Sequence, residues 1–373
     1  LIDRDHGFAQ VSSRPPLKAT IMSLAFLDRL LRDDATTELL GTQATFDAML
    51  RFELALARAS ARHGLMSDAA LVAIEAAGAG FVPDLDQLAE ATLKDGVVVP
   101  DFVRQLRRAV GGAHETSVHL GATSQDVIDT ALALTLGDVL DLLQQRLMAV
   151  DTAIATLQQR FGPVALMGRT RMQAAIPITV GDRLAVWLRP VKRQLDSLET
   201  HRCAIRILSL AGAAGTAEKF GDQIHAVRDA MAADLGLTVP DYVPHADRAR
   251  MADFAGWLSL TSGALAKIGQ DVALMAQTGI DEIMLSGGGG SSAMPHKQNP
   301  VRAELLVTLG RFNATQLSGM HHALIHEQER SGAAWTLEWM ILPGMIEATA
   351  TALMHAQVML ASVERMGGRG KTG

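Results

Sequence analysis

Val127-Ile128-Asp129-Thr130-Ala131-Leu132-Ala133-Leu134-Thr135-Leu136-Gly137-Asp138-Val139-Leu140 opens a stretch that decides the fold. Apolar residues return every three or four positions as far as Phe161, a pattern of about ten turns at ~3.6 residues each. Comparable periodicity predicts helices over 39–63, 177–210, 246–278, 301–329 and 337–363. Helices this long need neighbours to cover their apolar faces, so the reading is an all-α long-helix bundle. Only 4% of the residues are aromatic and β-branched runs are short, which argues against a sheet-based core. Apolar character on more than one face further predicts packing against helices of other subunits, hence a homo-oligomer.

Composition agrees with a large-cored globular chain. The 373 residues are 48% hydrophobic and 20% charged, with a net charge of −6. Mild acidity argues against nucleic acid as a partner, and no apolar run reaches the ~20 residues that span a bilayer. One cysteine, Cys203, excludes an internal disulfide, makes a structural zinc site improbable and points to a reducing cytoplasm. His321 and His322 are adjacent on a predicted helix and point to different sides of it, so they make a poor chelating pair. No motif calls for a metal or an organic cofactor.

Segment 1–21 mixes charge with Ser12-Ser13 and Pro15-Pro16 and has no helical period. It reads as an upstream remnant ahead of Met22 and is excluded from fold reasoning, because it lacks a signal peptide's apolar core. At the other end, 365–373 breaks off a helical pattern as an altered tail would.

Beyond the periodic stretches stands Gly287-Gly288-Gly289-Gly290-Ser291-Ser292-Ala293-Met294-Pro295-His296-Lys297-Gln298-Asn299-Pro300. Four successive glycines carry a large entropy cost of ordering that a merely structural connection rarely bears, so the segment reads as a loop built to move. Asn299 and Pro300 read as N-cap and first-turn proline of the following helix. Lys297 near that positive pole makes a place for an anionic small molecule. A plain glycine-rich linker before a capped helix is the bland alternative.

This loop resembles the signature of the fumarase/aspartase superfamily, Gly-Ser-Ser-X-Met-Pro-X-Lys-X-Asn-Pro, at every defined position. The resemblance implies that Ser291, once deprotonated, takes the proton beside a substrate carboxylate. It implies too that Lys297 and Asn299 bind that carboxylate, with Ser292 and Met294 beside them. It further implies a fumarase/aspartase-type fold: a small N-terminal helical domain over 22–112, a central bundle domain over 113–364 and a 20-helix core in a homotetramer. The usual C-terminal domain is absent from this reading, and active sites are shared between subunits.

Two more segments fit the same family. Val118-His119-Leu120-Gly121-Ala122-Thr123-Ser124-Gln125-Asp126 is similar to the string with which adenylosuccinate lyases bind acidic groups, so His119, Thr123 and Ser124 inherit substrate binding. Thr123 and Asp126 also read as a simple capping box. Gly168-Arg169-Thr170-Arg171-Met172-Gln173 is similar to Gly-X-Thr-His-X-Gln, with Arg171 where the lyases keep a protonating histidine. Gln173 matches the family position.

A guanidinium cannot shuttle protons, because its pKa lies above ~12. A departing amine or hydroxide needs an acid, whereas a carboxylate attacks or leaves unprotonated. The resemblance therefore narrows to the superfamily's lactone-forming branch, which acts on 3-carboxy-cis,cis-muconate in protocatechuate catabolism. The partner implied is a small anionic substrate, a tricarboxylate or its sulfonated analogue. Arg171 and Arg169 would bind a carboxylate of it, though Arg169 also reads as a plain exposed charge. An Arg171 to Glu304 ion pair is expected where the family's histidine meets a carboxylate. In the run 326–339, similar to the cycloisomerases' Glu-Arg-X-X-Gly-X-Trp-X-X-Glu-Trp, Arg330 is the carboxylate binder and Trp335 and Trp339 read first as core anchors. A sulfomuconate cycloisomerase, an adenylosuccinate or argininosuccinate-type lyase, and an idle structural relative remain alternatives.

Overall fold

The computed structural model describes residues 25–287, 289 and 298–368. At the N-terminal side one long helix stands between two short helices before it and three after it. After α1 (Asp28–Leu31) and α2 (Asp34–Leu39) come α3 (Thr42–Arg62), α4 (Asp68–Gly78), α5 (Leu85–Asp95) and α6 (Val99–Val110). The bundle is built from α7 (Ser124–Phe161), α8 (Val180–Ile205), α10 (Ala249–Met275), α11 (Val301–His322) and α12 (Gly332–Ala361), with α9 (Ile224–Leu235) set beside α3. All six helical stretches predicted from periodicity are present. The fold is all-α, as the periodicity predicts.

Helix ends differ from expectation where local polar groups decide them. The stretch predicted to be helical from 177 starts at Val180, because Gln173–Thr179 is strand β2, antiparallel to β1 (Ala165–Thr170). Thr179 then caps α8: its hydroxyl accepts from Asp182 N–H at 3.1 Å and Asp182 Oδ2 accepts from Thr179 N–H at 2.9 Å. Similarly, α12 starts at Gly332 because Ser331 Oγ accepts from Ala334 N–H at 3.0 Å. Asn299 is not the cap of α11. Its N–H and C=O are both paired with Gly289, at 2.8 and 3.1 Å, and this bridge holds it extended one residue ahead of Pro300, which takes the N-cap position.

Two apolar clusters divide the interior. One runs through the bundle, from Leu136 to Leu157 of α7 to Trp187 of α8, Trp257 of α10 and Leu353 of α12. The other joins Phe46, Phe52 and Leu56 of α3 to Phe102 of α6, Val127 at the start of α7 and Met231 of α9. Two glycines set the closest helix approach. A Cβ at Gly269 of α10 would lie 2.4 Å from the Ala303 carbonyl oxygen of α11, and one at Gly310 would lie 2.6 Å from Ala266 Cβ. At the same interface Asn313 Nδ2 donates to Ser262 Oγ at 3.0 Å and Thr349 Oγ1 at 2.8 Å, which anchors the NH2 end of this buried amide. A second small ladder, β3 (Ile283–Leu285) with β4 (Val363–Met366), lies antiparallel beyond the end of α10.

Candidate active site

The hairpin turn carries Arg171. Arg171 and Met172 both have left-handed backbone, φ 47° and 68°, as a two-residue hairpin connection requires, although neither is glycine. That turn holds the Arg171 side chain at a cleft of about 350 Å³, lined also by Arg169, Arg183, Lys267, Asp271, Leu274 and Glu282. Glu282, buried, accepts from Arg169 Nη2 at 2.7 Å. Arg169 is therefore a paired, partly buried cation, neither a lone surface charge nor a free ligand. Asp271 is likewise engaged twice, by Trp187 Nε1 at 2.7 Å and by the Lys267 ammonium. Gln173 is exposed at the start of β2 and pairs with Thr170 in the ladder.

Asn299 lines a separate cleft of about 770 Å³ with Arg29, Leu30, Gly289, Arg302 and His355. His355 is tied on both ring nitrogens, Nε2 to the Leu30 carbonyl at 3.0 Å and Nδ1 to Arg302 Nη1 at 2.6 Å. Because the carbonyl can only accept, Nε2 carries the proton and Nδ1 accepts from Arg302. Burial, together with the Arg302 charge, pushes this imidazole below its ordinary pKa, consistent with a neutral ring. Ser291, Ser292, Met294 and Lys297 lie outside the described residues.

The third group gathers at the N-terminus of α7. His119, with left-handed backbone at φ 64°, places Nδ1 2.6 Å from Glu53 Oε1 of α3. Burial depresses the imidazole pKa, but the Glu53 carboxylate outweighs burial and leaves it above its ordinary value. Thr123 and Ser124 sit half-buried at the helix start, and Asp126 Oδ2 accepts from Thr123 N–H at 3.0 Å. Arg330 joins them through Gln125: Nε donates to Gln125 Oε1 at 2.8 Å and Nη2 to the Ala213 carbonyl at 3.2 Å. Beneath lies Arg248, fully buried, donating to Asp129 Oδ2 at 2.8 Å and to both Glu338 oxygens. Burial opposes that charge; the two carboxylates more than restore it and hold the guanidinium above its ordinary pKa.

Thus His119, Thr123, Ser124 and Arg330 share one end of the bundle. Arg169, Arg171 and Gln173 occupy the other, since β1 begins four residues after α7 ends. Asn299 belongs with the hairpin end: Ala303, one turn on, packs against Gly269, half a turn from Asp271 of the Arg171 cleft. The 38 residues of α7 span about 57 Å at ~1.5 Å per residue, so the two groups cannot meet within one chain. The expected Arg171 to Glu304 pair is not formed within the chain either. Glu304 follows Ala303 by one residue, about 100° around α11 from the face on α10, and is exposed.

Sequence reasoning missed Glu53, His245, Arg248 and Arg183. Glu53 alone left a signal, a charge between Phe52 and Leu56 on the apolar face of α3.

Residues 31–315 match the model of the family described as Lyase. A 3-carboxy-cis,cis-muconate cycloisomerase from Pseudomonas aeruginosa is 39% identical over 322 residues, 85% of this chain and 70% of that protein. The crystal structure of the 3-carboxy-cis,cis-muconate lactonizing enzyme from Pseudomonas putida superposes with a TM-score of 0.85 at 35% identity, covering 91% of this chain and 77% of the other. That of the β-carboxy-cis,cis-muconate cycloisomerase from Acinetobacter calcoaceticus superposes with a TM-score of 0.85 at 31% identity, covering 91% and 78%. With the family model spanning most of the chain and relatives this similar along nearly all of it, the protein belongs to the lyase family of the fumarase/aspartase superfamily.

Proposed function

We propose that this chain is a cycloisomerase that closes 3-carboxy-cis,cis-muconate to a carboxymuconolactone. One observation carries the reading: the hairpin cleft presents Arg171, a permanent cation, at the motif position where the superfamily's lyases keep a protonating histidine, and none of its described lining residues is a histidine. Similarity to cycloisomerases of that name supports it.

In the ring-closing direction one substrate carboxylate oxygen forms a bond to a carbon of the conjugated C=C. The displaced π electrons move toward a second carboxylate, giving an aci-carboxylate. The Ser291 hydroxyl then delivers its proton to the adjacent carbon and is reprotonated from solvent. Lys297, Asn299 and loop backbone donors hold the transient charge. Arg171 at one end, and His119, Thr123, Ser124 and Arg330 at the other, bind the remaining carboxylates.

Because those groups sit about 57 Å apart along one α7, a complete site takes residues from several copies, and we read the assembly as a homotetramer. The domain division at about residue 112 and a cytoplasmic location belong to the same reading. Among the described residues, no helix is long and apolar enough to cross a membrane.

The test is ultraviolet monitoring of purified protein with 3-carboxy-cis,cis-muconate: the diene absorbance should fall without release of fumarate. Fumarate appearing from adenylosuccinate or argininosuccinate, with the diene untouched, would overturn the reading. Competition between carboxy- and sulfomuconate then fixes the preferred substrate.

A further inference from the structure

We infer that Arg183, on the first turn of α8, joins Arg171 to form a two-guanidinium fork for one carboxylate of the ligand. The inference rests on the reading above that the hairpin cleft receives substrate, and it changes which residues do the holding. Four cations line the cleft, Arg169, Arg171, Arg183 and Lys267, against two carboxylates, Asp271 and Glu282. Each carboxylate is already engaged: Glu282 by Arg169 at 2.7 Å, and Asp271 by Lys267 and by Trp187 Nε1.

Arg171 and Arg183 are thus the two lining cations without an ion pair among the described residues, and they leave the cleft with an uncompensated charge of about two. The nearest acid in sequence to Arg183, Asp182, is turned to Thr179 as its cap partner. Two guanidiniums lining one concave surface match the paired acceptors of a carboxylate. Arg169, by contrast, fastens the hairpin to Glu282, so its charge is spent inside the protein.

The experiment measures tricarballylate binding to the assembled protein by calorimetry, with muconate kinetics in parallel. Arg183→Gln and Arg171→Gln should each raise the Kd about tenfold or more, whereas Arg189→Gln, an exposed α8 cation outside the cleft, should change it about twofold or less. Arg183→Lys should recover part of the loss, and it serves as the readout should Arg183→Gln fail to fold. A Kd for Arg183→Gln equal to that of Arg189→Gln would overturn the fork. So would a lowered Tm without a change in Kd, the result expected if a neighbouring copy's carboxylate already neutralises the pair. If tricarballylate binding depends on Arg183 while muconate is not turned over, the fork stands and the proposed reaction falls. If muconate is turned over and Arg183→Gln leaves KM unchanged, the reverse holds.

Discussion

Asp126 Oδ1 lies 2.8 Å from His245 Nε2, with both side chains removed from solvent. The same carboxylate accepts N–H groups from Thr123 at 3.0 Å, Ala211 at 2.8 Å and Gly212 at 3.0 Å. One buried anion therefore joins the start of α7 to two loops more than eighty residues away, and it positions Thr123 and Ser124 at the candidate site.

Asp126→Asn should cost about 3 kcal/mol, because an amide offers one acceptor oxygen and turns its NH2 toward groups that are themselves donors. Urea denaturation reads this directly. A midpoint within error of the parent protein would show that the loops are held by other contacts.

The His119 and Glu53 pair makes stability depend on pH with a defined sign. The folded imidazole has its pKa raised above the unfolded value of about 6.5, so the pair's contribution is fully present below that pH and is lost as pH rises through the raised folded value. Glu53→Gln should accordingly lower Tm most near pH 6 and progressively less toward alkaline pH. A Tm difference that is flat between pH 6 and 9 would show that no titration of the imidazole in this range is coupled to the pair.

Much of the fold was readable because helical periodicity is a local signal: Ser124–Phe161 exceeds the predicted 127–161 by three residues at one end only. The ends were less readable wherever one short polar contact decided them, as with Asn299, whose backbone pairs with Gly289 instead of opening α11. At the candidate site, motif strings pointed to His119, Arg169 and Arg330 but not to their partners. Glu53 is 66 positions from His119, Glu282 113 from Arg169 and Arg330 205 from Gln125, separations that only tertiary packing closes. Arg169 and Arg171 read alike in sequence; Glu282 separates their behaviour.

Arg248 tests whether a buried ion cluster stabilises or merely specifies. It is 2% exposed and faces Asp129 and Glu338, both equally buried. Arg248→Met should cost about 3–5 kcal/mol, since it strands two carboxylates in the interior. Adding Asp129→Leu and Glu338→Met should restore most of that loss, because an apolar triad of similar volume has no charge to desolvate. A triple variant no more stable than Arg248→Met would show that packing, not stranded charge, dominates this end of the bundle.

Arg171→His separates a need for charge from a need for a proton. If the residue serves the ring closure only as a fixed cation, an imidazole supplies that charge only when protonated, below about pH 6.5 at its ordinary pKa. KM for 3-carboxy-cis,cis-muconate should then be raised about tenfold or more at pH 8 and recover as pH falls through that value, with kcat changed far less. The parent enzyme should show no such limb, because its guanidinium stays charged across the range. Were the variant instead to gain kcat at neutral pH with KM unchanged, a proton donor would be what the site lacked, and the carboxylate would not be attacking unaided. That outcome would return the chain to the side of the superfamily that expels its leaving group with an acid, so the two kinetic parameters, followed across one pH series, discriminate between the chemistries.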